Sequence, residues 1–474
     1  MRYSMLVYLT RMGRTLLEAA EYLTARPKED PMWEKLLENG RQMMDQIHAV
    51  LERHQQDLKS SRPIDCLNEA KEQWSVSGEE CVSSIQQFVQ CLPQEVRYQV
   101  RAVFFAELGE KWDAMESVYW IMQDDPRFDP VVVLTPYFRQ IKKGGEMQQE
   151  VIYKDYLTPM GIPFFEHDKY NLEEDCPDLA FISQPYEGAA LREFWPEYIA
   201  QYTRLVYLPY FLAYLAGKNS VTELAQMPVY RYAWKVICPT EKQYDFYCKH
   251  SVHNGVNALL TGIPKLDSLV SIPQKGIERP KGWEHLEGKC VFLWNSWYDI
   301  GVSSLRFFDD LLNWFKCHTD CVLLWRMHPL TDTVTKLYRA DLYQDFLKKI
   351  RYAETFSNVV LDRETSYKAA FYYSDALISD YSSLLPQYLL MDKPALQIKR
   401  LATHISGEFI EGKWMENAEN ASDILAFLER VYAGEDRNAE LRKMIRQRDL
   451  PLADGHCAQR VCEALWTQLH GEDL

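Results

Sequence analysis

The chain has 474 residues, of which 47% are hydrophobic and 26% are charged, the usual balance of a globular protein. This length exceeds what one hydrophobic core supports, so about three structural units are expected. The formal net charge of −15 argues against a broad nucleic-acid surface, which needs a basic stripe, and no nucleic-acid partner is predicted.

Other features of the sequence bear on location. No apolar run reaches the ~18 residues that a membrane-spanning helix needs. The N-terminal segment lacks the small-residue cleavage site of a signal peptide. The eleven cysteines are scattered and contain no CxxC pair, which indicates reduced thiols. Together these features predict a cytoplasmic protein.

Residues 1–125 are predicted to form a helical N-terminal domain. Apolar residues recur there at helical spacing, for example at Leu16, Ala20 and Leu23, and the segment 97–122 continues this pattern. Basic residues near the N-terminus leave open a contact with an anionic membrane surface. A packed bundle with a solvated basic edge is the favoured interpretation.

Beyond residue 125 the pattern changes to short, β-branched apolar runs separated by helix-length segments. Such alternation predicts βαβ units and parallel sheets. A first series of strands is predicted at 129–134, 162–165, 179–183 and 205–208, with a helix between the first two. A second series is predicted at 235–238, 258–261, 290–294, 321–325, 359–361, 376–378 and 395–398.

The fold class is therefore predicted as α/β, with two Rossmann-like domains preceded by an all-helical region. The two domains are expected at 126–234 and 235–420, and the helices of 421–474 are expected to pack back on them. In open α/β sheets, ligands bind beyond the carboxyl ends of the strands, so functional residues should follow the predicted strands.

Polar residues that suit phosphate recognition follow three strands of the second series. They are Gly262 and Lys265 after 258–261, Arg326 and His328 after 321–325, and Asp380, Ser382 and Ser383 after 376–378. A helix start offers N–H groups to an anion, arginine offers a planar fork, and histidine can donate a proton to a leaving phosphate. Each motif alone also fits a helix cap, a surface ion pair or an ordinary turn. Their recurrence at successive strand ends predicts a phosphate site.

These motifs resemble those of the CDP-glycerol glycerophosphotransferase family, the teichoic-acid primases and polymerases with a GT-B-like fold, over residues 130–465. The resemblance rests on Gly262-Ile-Pro-Lys-Leu-Asp267, on Trp325-Arg-Met-His-Pro-Leu330, on Ser374-Asp-Ala-Leu-Ile-Ser-Asp-Tyr-Ser-Ser383 followed by Asp392-Lys-Pro394, and on Asp454-Gly-His-Cys-Ala-Gln-Arg460. The Asp-Tyr-Ser-Ser motif is the most specific of these. The first 125 residues show no such resemblance.

The resemblance implies a transferase that moves glycerol or ribitol phosphate from a CDP-activated donor to an acceptor hydroxyl and releases CMP. The acceptor would be a polyol- or sugar-containing chain of a teichoic-acid-like or capsule polymer. A lipid-linked acceptor, peripheral contact with the inner face of the cell membrane and a homo-oligomer are left open. No cofactor is implied beyond the CDP-linked donor, and no metal is predicted, because no Asp-x-Asp pair follows a strand.

The resemblance also implies roles for individual residues of the second half. His328 would contact the donor phosphates or assist the leaving group, and Asp380 would orient its loop or take part in catalysis. The donor nucleotide and its phosphates would be bound by Arg326, Ser382, Ser383, Gly262 and Lys265. Trp297 follows a predicted strand end and is expected to lie near the cleft.

The general base is where this chain departs from the family. Family members often carry a His-Gly-Thr segment after a strand of the N-terminal half, whereas this chain has Tyr207-Leu-Pro-Tyr-Phe211 at that place. Tyr210 could replace the histidine, but an unperturbed tyrosine with a pKa of ~10 is a poor base at neutral pH. Glu187 and His167 are the other candidates, and the base stays unassigned.

Two other functions stay open. One is a GT-B glycosyltransferase that uses a nucleotide sugar, which the absence of a Glu-x7-Glu ribose clamp disfavours. The other is a non-catalytic nucleotide-binding or scaffold relative, which the missing histidine supports.

Overall fold

The computed structural model describes residues 1–75, 79–143, 146–212, 215–217, 225–399 and 405–473. Four helices form the beginning of the chain: Tyr3–Ala25, Trp33–Arg53, Arg62–Gln73 and Glu79–Glu95. Each buries one apolar face in a shared core, which includes Leu9, Met44 and Phe88. The prediction of a helical N-terminal region is confirmed for the described residues up to 95.

A seven-stranded parallel sheet follows the helices. In spatial order its strands are Ala258–Leu260, Lys235–Cys238, Arg204–Tyr207, Leu179–Ile182, Val100–Ala106, Phe128–Leu134 and Phe165–Glu166. Val100–Ala106 pairs with a strand on each side, and nearly all of its residues are buried. Its run of valine and phenylalanine suits a strand covered on both faces.

Two predictions for the first half are wrong. Val100–Ala106 is a strand and not part of a helix over 97–122, because a short apolar run buried on both faces cannot be told from a buried helix by periodicity. In place of the helix predicted between 134 and 160, Tyr137–Lys143 and Glu146–Ile152 form an antiparallel hairpin. The Gly-Gly pair between these strands in the sequence is a hairpin signal that the prediction passed over.

The second sheet has six parallel strands. In spatial order they are Val359–Leu361, Cys321–Met327, Cys290–Ser296, Ala376–Asp380, Ala395–Ile398 and Glu416–Ala418. All but Glu416–Ala418 were predicted, and their bounds agree to within two residues. Lys235–Cys238 and Ala258–Leu260, which were predicted to open this second series, pair in the first sheet instead. The domain boundaries themselves stay predictions.

Helices cover the faces of both sheets. Around the first sheet they are Gly109–Trp112, Glu116–Asp124, Leu172–Asp175, Pro196–Ile199, Pro228–Tyr232 and Glu241–His250. Around the second they are Asp267–Lys275, Phe308–Cys317, Thr331–Tyr338, Ala340–Ala353, Lys368–Tyr373 and Leu384–Tyr388. A further antiparallel pair joins Leu215–Gly217 to Ile405–Glu408. The predicted α/β class with two Rossmann-like sheets is confirmed.

The tail is helical, as predicted, with helices at Ala421–Tyr432, Ala439–Asp449 and Cys457–Asp473. The last helix crosses back to the first sheet, where Val461, Leu465 and Leu469 join its core. Within the described ranges, no helix combines the length and apolar character needed to cross a membrane.

Candidate active site

Asp380 anchors the carboxyl edge of the second sheet. It ends the strand Ala376–Asp380 and is completely buried. Its Oδ2 accepts hydrogen bonds from the Trp297 N–H at 2.8 Å and from the Ser304 hydroxyl at 2.7 Å, and both of its oxygens lie 3.0 Å from the Ser304 nitrogen. These donors balance the buried carboxylate and tie the segment after Cys290–Ser296 to the neighbouring strand. The contacts favour an orienting role for Asp380 and give no support to a catalytic one.

His328 is held in place just beyond the strand Cys321–Met327, which is separated from Ala376–Asp380 by one strand. Its N–H donates to the Ser296 carbonyl at 3.2 Å, and its Nδ1 accepts from the Leu330 N–H at 3.1 Å. The ring also packs against Trp297 and Tyr298, with centroids 5.6 and 5.3 Å away. Because Nδ1 is an acceptor, the proton of the neutral ring is on Nε2. His328 can therefore donate a hydrogen bond to a ligand oxygen through Nε2.

A cavity of about 310 Å³ borders His328. Its second-half walls include Arg326, His328, Asp362 and Thr365, and Glu110 contributes from the first half. Ligand pockets in proteins begin at about 300 Å³, so the space is large enough for a small polar ligand. The cavity therefore lies where the two halves meet, beside the strand ends of the second sheet.

Arg326 is committed to protein groups. It is buried, and its guanidinium donates to the Asp362 carboxylate at 2.5 Å and to the carbonyls of Thr365 and Ser366 at 3.1 and 3.4 Å. These bonds fix the wall of the cavity and balance the arginine charge. The predicted contact between Arg326 and a donor phosphate would have to compete with them, and it stays a prediction.

Ser382 and Ser383 have different environments. The Ser382 hydroxyl is buried and accepts from the Leu384 N–H at 3.2 Å, so Ser382 caps the start of Leu384–Tyr388. Ser383 is exposed, its side chain makes no cap bond, and its carbonyl accepts from Gln387 Nε2 at 2.8 Å. The capping interpretation thus holds for Ser382. Ser383 presents its hydroxyl at the surface, and its binding of a donor phosphate stays a prediction.

Gly262 and Lys265 have structural roles. Gly262 has a φ of +78°, and a Cβ there would lie 2.6 Å from Cys457 Sγ, so the close approach of the last helix requires glycine. The Lys265 ammonium is buried 3.1 Å from the Asp113 carboxylate and 5.4 Å from the Tyr367 ring centroid. Donor binding by either residue is untested, and these contacts do not favour it.

A polar chain joins the two halves beside this site. The Tyr367 hydroxyl lies 3.0 Å from the Asp113 carboxylate of the first half and 2.5 Å from Gln387 Oε1 of the second. Gln387 in turn binds the Ser383 carbonyl. An ion pair also connects the two halves, because Lys368 Nζ lies 3.3 Å from Glu116 Oε2. The segment that follows the central strand Val100–Ala106 is thereby fixed against the Asp-Tyr-Ser-Ser turn.

The candidate bases of the first half are less well placed. Tyr210 follows the strand Arg204–Tyr207, and burial raises its pKa well above the usual value, which makes it a still poorer base. Burial, with repulsion from Glu197, raises the pKa of the half-buried Glu187. His167 makes an edge contact with Tyr153, with centroids 5.6 Å apart. Neither Glu187 nor His167 is brought against the cavity that His328 lines.

Sequence reasoning missed Glu107 and Lys111. Glu107 follows the central strand of the first sheet, and its Oε2 lies 3.5 Å from the Lys111 ammonium. Lys111 donates to Gln184 Oε1 at 2.9 Å. Burial raises the pKa of Glu107 to about 7 and lowers the pKa of Lys111. The signal was an acid at a strand end, and it was lost because 97–122 was interpreted as helical.

Comparison with known proteins gives one family match. The family described as CDP-Glycerol:Poly(glycerophosphate) glycerophosphotransferase matches residues 226–467, slightly more than half of the 474 residues. The teichoic acid glycerol-phosphate transferase of Staphylococcus aureus (strain NCTC 8325 / PS 47) is 26% identical over 154 residues. That alignment covers 31% of this chain and 36% of the relative, so the chain spans about a third of the relative's length.

Solved structures share the architecture. The wall teichoic acid polymerase TagF, as a histidine-to-asparagine variant soaked with CDPG, is 13% identical with a TM-score of 0.52, over 87% of this chain and 99% of that one. The UDP-GlcNAc 2-epimerase from Neisseria meningitidis, bound to UDP-GlcNAc, is 14% identical with a TM-score of 0.52, over 78% and 100%. At such identities the likeness concerns the fold alone, and it confirms the predicted GT-B-like arrangement.

Proposed function

This chain belongs to the CDP-glycerol:poly(glycerophosphate) glycerophosphotransferase family, and on that premise we propose that it transfers a polyol phosphate from a CDP-activated donor to an acceptor hydroxyl and releases CMP. The observation that carries the proposal is the position of His328. It lies within the family match, at a strand end of the second sheet, on a cavity that the first half also lines. Such a place suits a group that acts between a donor and an acceptor.

The second sheet would hold the donor and the first sheet the acceptor. The Nε2 N–H of His328 would donate to an oxygen of the donor diphosphate as negative charge builds on the departing CMP. The exposed Ser383 hydroxyl would bind a phosphate oxygen, while Asp380 fixes the backbone at Trp297 and Ser304. Phosphoryl transfer depends mainly on positioning and charge stabilisation. Hydrogen-bond donors of this type supply both.

The substrate choice rests on the family and its relative. Both are described by glycerol phosphate, which supports a CDP-glycerol donor and a poly(glycerol phosphate) or similar teichoic-acid-like acceptor. Ribitol phosphate, a lipid-linked acceptor and a site of action at the inner membrane surface stay part of the proposal. Turnover is expected without a cofactor or a divalent ion.

Calorimetric titration and an assay of CMP release test the proposal. The protein is titrated with CDP-glycerol, CDP-ribitol, CMP and UDP-glucose, and CMP release is followed with a synthetic glycerol-phosphate oligomer. We expect selective binding of cytidine donors and release of CMP that depends on the oligomer. His328→Ala should lower kcat by about 10²–10⁴-fold, whereas His285→Ala, a change at an exposed turn, should leave it unchanged. Binding of UDP-glucose in preference to cytidine donors would contradict the proposal.

A further inference from the structure

Side chains from three neighbouring strand ends meet at the carboxyl edge of the first sheet. Glu107 follows Val100–Ala106, Gln184 follows Leu179–Ile182, and Tyr210 follows Arg204–Tyr207. These strands are adjacent and parallel, so their carboxyl ends lie at one edge. Lys111, four residues after Glu107, connects them through its contacts with all three residues.

The charged pair at this edge is nearly excluded from water. The side chains of Glu107 and Lys111 are only 9% and 10% exposed. The Lys111 ammonium lies 4.2 Å from the Tyr137 ring centroid and 5.0 Å from that of Tyr210, so two aromatic faces share its charge. A buried ion pair is poor evidence for stability, because desolvation of both ions offsets their attraction. Groups whose pKa values are shifted by burial and by a charged partner are common at functional sites, which makes this pair a candidate.

The groups that face Glu107 set the pKa of its carboxyl close to neutral pH. Lys111 opposes the effect of burial, and Tyr137, Tyr156 and Tyr210 face the carboxyl from three other segments. Burial raises the pKa of each of these tyrosines, so they stay neutral near pH 7. The balance gives Glu107 a pKa of about 7, at which a carboxylate can both accept and release a proton.

In the described part of the chain, two buried polar atoms without partners belong to a residue of this segment, Asp113, and to a residue that packs against it, Tyr156. The Tyr156 ring packs over Gly109, whose added Cβ would lie 3.3 Å from it. Among the described residues, the buried Tyr156 hydroxyl and Asp113 Oδ1 have no hydrogen-bond partner. Buried polar atoms normally have partners, so these two atoms leave capacity for further hydrogen bonds near this segment.

The segment also faces the donor side. Glu110 lines the cavity that His328 borders, and the strand Tyr137–Lys143 contacts the helix Thr331–Tyr338 that follows His328. Asp113 is bonded to Lys265 and Tyr367 of the second half. Glu107 is not itself among the residues that line this cavity, but it lies three residues before Glu110, on a segment held between the first sheet and the predicted donor site.

We propose that Glu107 accepts the proton of the acceptor hydroxyl and that Lys111 positions its carboxylate, a role that rests on the proposed transferase function. The acceptor oxygen forms a bond to the phosphorus that bears the polyol, and the bond from that phosphorus to the CMP oxygen breaks. The electron pair of the broken bond leaves with CMP. The hydroxyl proton passes to a Glu107 oxygen and from there to water, so no further reactant is needed.

The pH dependence of transfer tests this role. Transfer to a synthetic glycerol-phosphate oligomer is measured between pH 5.5 and 9 for the full-length wild-type chain, Glu107→Gln, Glu107→Asp and Lys111→Met. A base with a pKa of about 7 in the free enzyme predicts a wild-type kcat/KM that falls about tenfold for each pH unit below that value. Glu107→Gln should lose about 10²–10⁴-fold in kcat together with this slope, and Glu107→Asp should keep the slope at a reduced rate. Lys111→Met should move the midpoint to higher pH, because only the hydrogen bond from Gln184 then opposes the effect of burial on the pKa of Glu107.

Controls separate this role from the overall function. Glu174→Gln, an exposed change in the same half, should match the wild type at every pH. Calorimetric titration with CDP-glycerol should give wild-type affinity for the Glu107 variants, which shows that they are folded. Wild-type kcat and pH profile in Glu107→Gln, or an unmoved midpoint in Lys111→Met, would overturn this inference alone. Absence of transfer by the wild type at any pH would overturn the proposed function, and this inference with it.

Discussion

The Tyr367 hydroxyl, on the second half of the molecule, lies 3.0 Å from the Asp113 carboxylate on the first. The same hydroxyl reaches Gln387, which binds the carbonyl of Ser383. One side chain thus couples the segment after the central strand of the first sheet to the Asp-Tyr-Ser-Ser turn of the second. Because Tyr367 is buried, the contact is shielded from competing water.

Removal of the Tyr367 hydroxyl should weaken the junction between the halves. Tyr367→Phe leaves Asp113 and Gln387 each short of a partner, which should cost about 1–3 kcal/mol. We expect a lower midpoint of thermal unfolding and a lower kcat. Tyr8→Phe, at an exposed tyrosine of the first helix, should change neither. An unchanged midpoint in Tyr367→Phe would show that the junction does not depend on this hydroxyl.

The hydrogen bonds that Asp380 accepts should contribute to the stability of the protein and to its affinity for the donor. Asp380→Asn replaces an acceptor oxygen by an amide that faces the N–H groups of Trp297 and Ser304, and Ser304→Ala removes one donor only. Hydrogen bonds to a charged group contribute about 1.5–3 kcal/mol each, so the first change should lower stability more than the second. Affinity for CDP-glycerol, measured by calorimetry, should fall in the same order. If Asp380→Asn folds and binds normally but does not turn over, Asp380 has a catalytic role after all.

The glycine after Ala258–Leu260 provides a test of the close approach between the last helix and the family motif. Gly262→Ala places a Cβ 2.6 Å from Cys457 Sγ at a φ of +78°. Gly288 has a similar φ of +71° with nothing within 4 Å, so Gly288→Ala measures the backbone cost alone. We expect both to lower the unfolding midpoint, and Gly262→Ala to cost about 1–3 kcal/mol more. Equal losses would mean that the last helix adjusts freely.

Substitutions of Ser382 and Ser383 should have different effects, the first on stability and the second on donor binding. Ser382→Ala removes the hydroxyl that accepts from the Leu384 N–H and should cost about 0.5–2 kcal/mol. Ser383→Ala changes an exposed side chain and should leave the unfolding midpoint unchanged. If Ser383 binds a donor phosphate, its alanine variant should weaken CDP-glycerol binding in calorimetry. Wild-type affinity in Ser383→Ala would limit this motif to its capping role.

The second half was the more predictable from sequence. Its strands are apolar runs that end in charged or hydroxyl residues, and both the runs and the residues after them were recognised at Arg326, His328 and Asp380. The sequence indicated the chemistry of these side chains but not which residues they contact. Asp362 for Arg326, Asp113 for Lys265 and Ser304 for Asp380 are set by the packing of distant segments.

The first half was harder to predict for a physical reason. Val100–Ala106 is covered on both faces, so it shows no alternation of polar and apolar residues and resembles the helices before it. Once it was interpreted as helix, the strand-end rule could not be applied to Glu107. The same rule drew attention to Arg326 and His328, which line the cavity, but also to Gly262 and Lys265, whose contacts are structural. Assignment of secondary structure therefore accounts for the missed residue Glu107, and the packing of distant segments accounts for the rest.

Phosphorus NMR of the purified chain with CDP-glycerol and a synthetic glycerol-phosphate oligomer tests the central claim most directly. The proposed transfer predicts that the two diphosphate resonances of the donor decay together, while a phosphodiester resonance of the lengthened oligomer and a phosphomonoester resonance of CMP grow at equal rates. Diphosphate resonances that persist, or CMP that appears with free glycerol phosphate and no new phosphodiester, would contradict it.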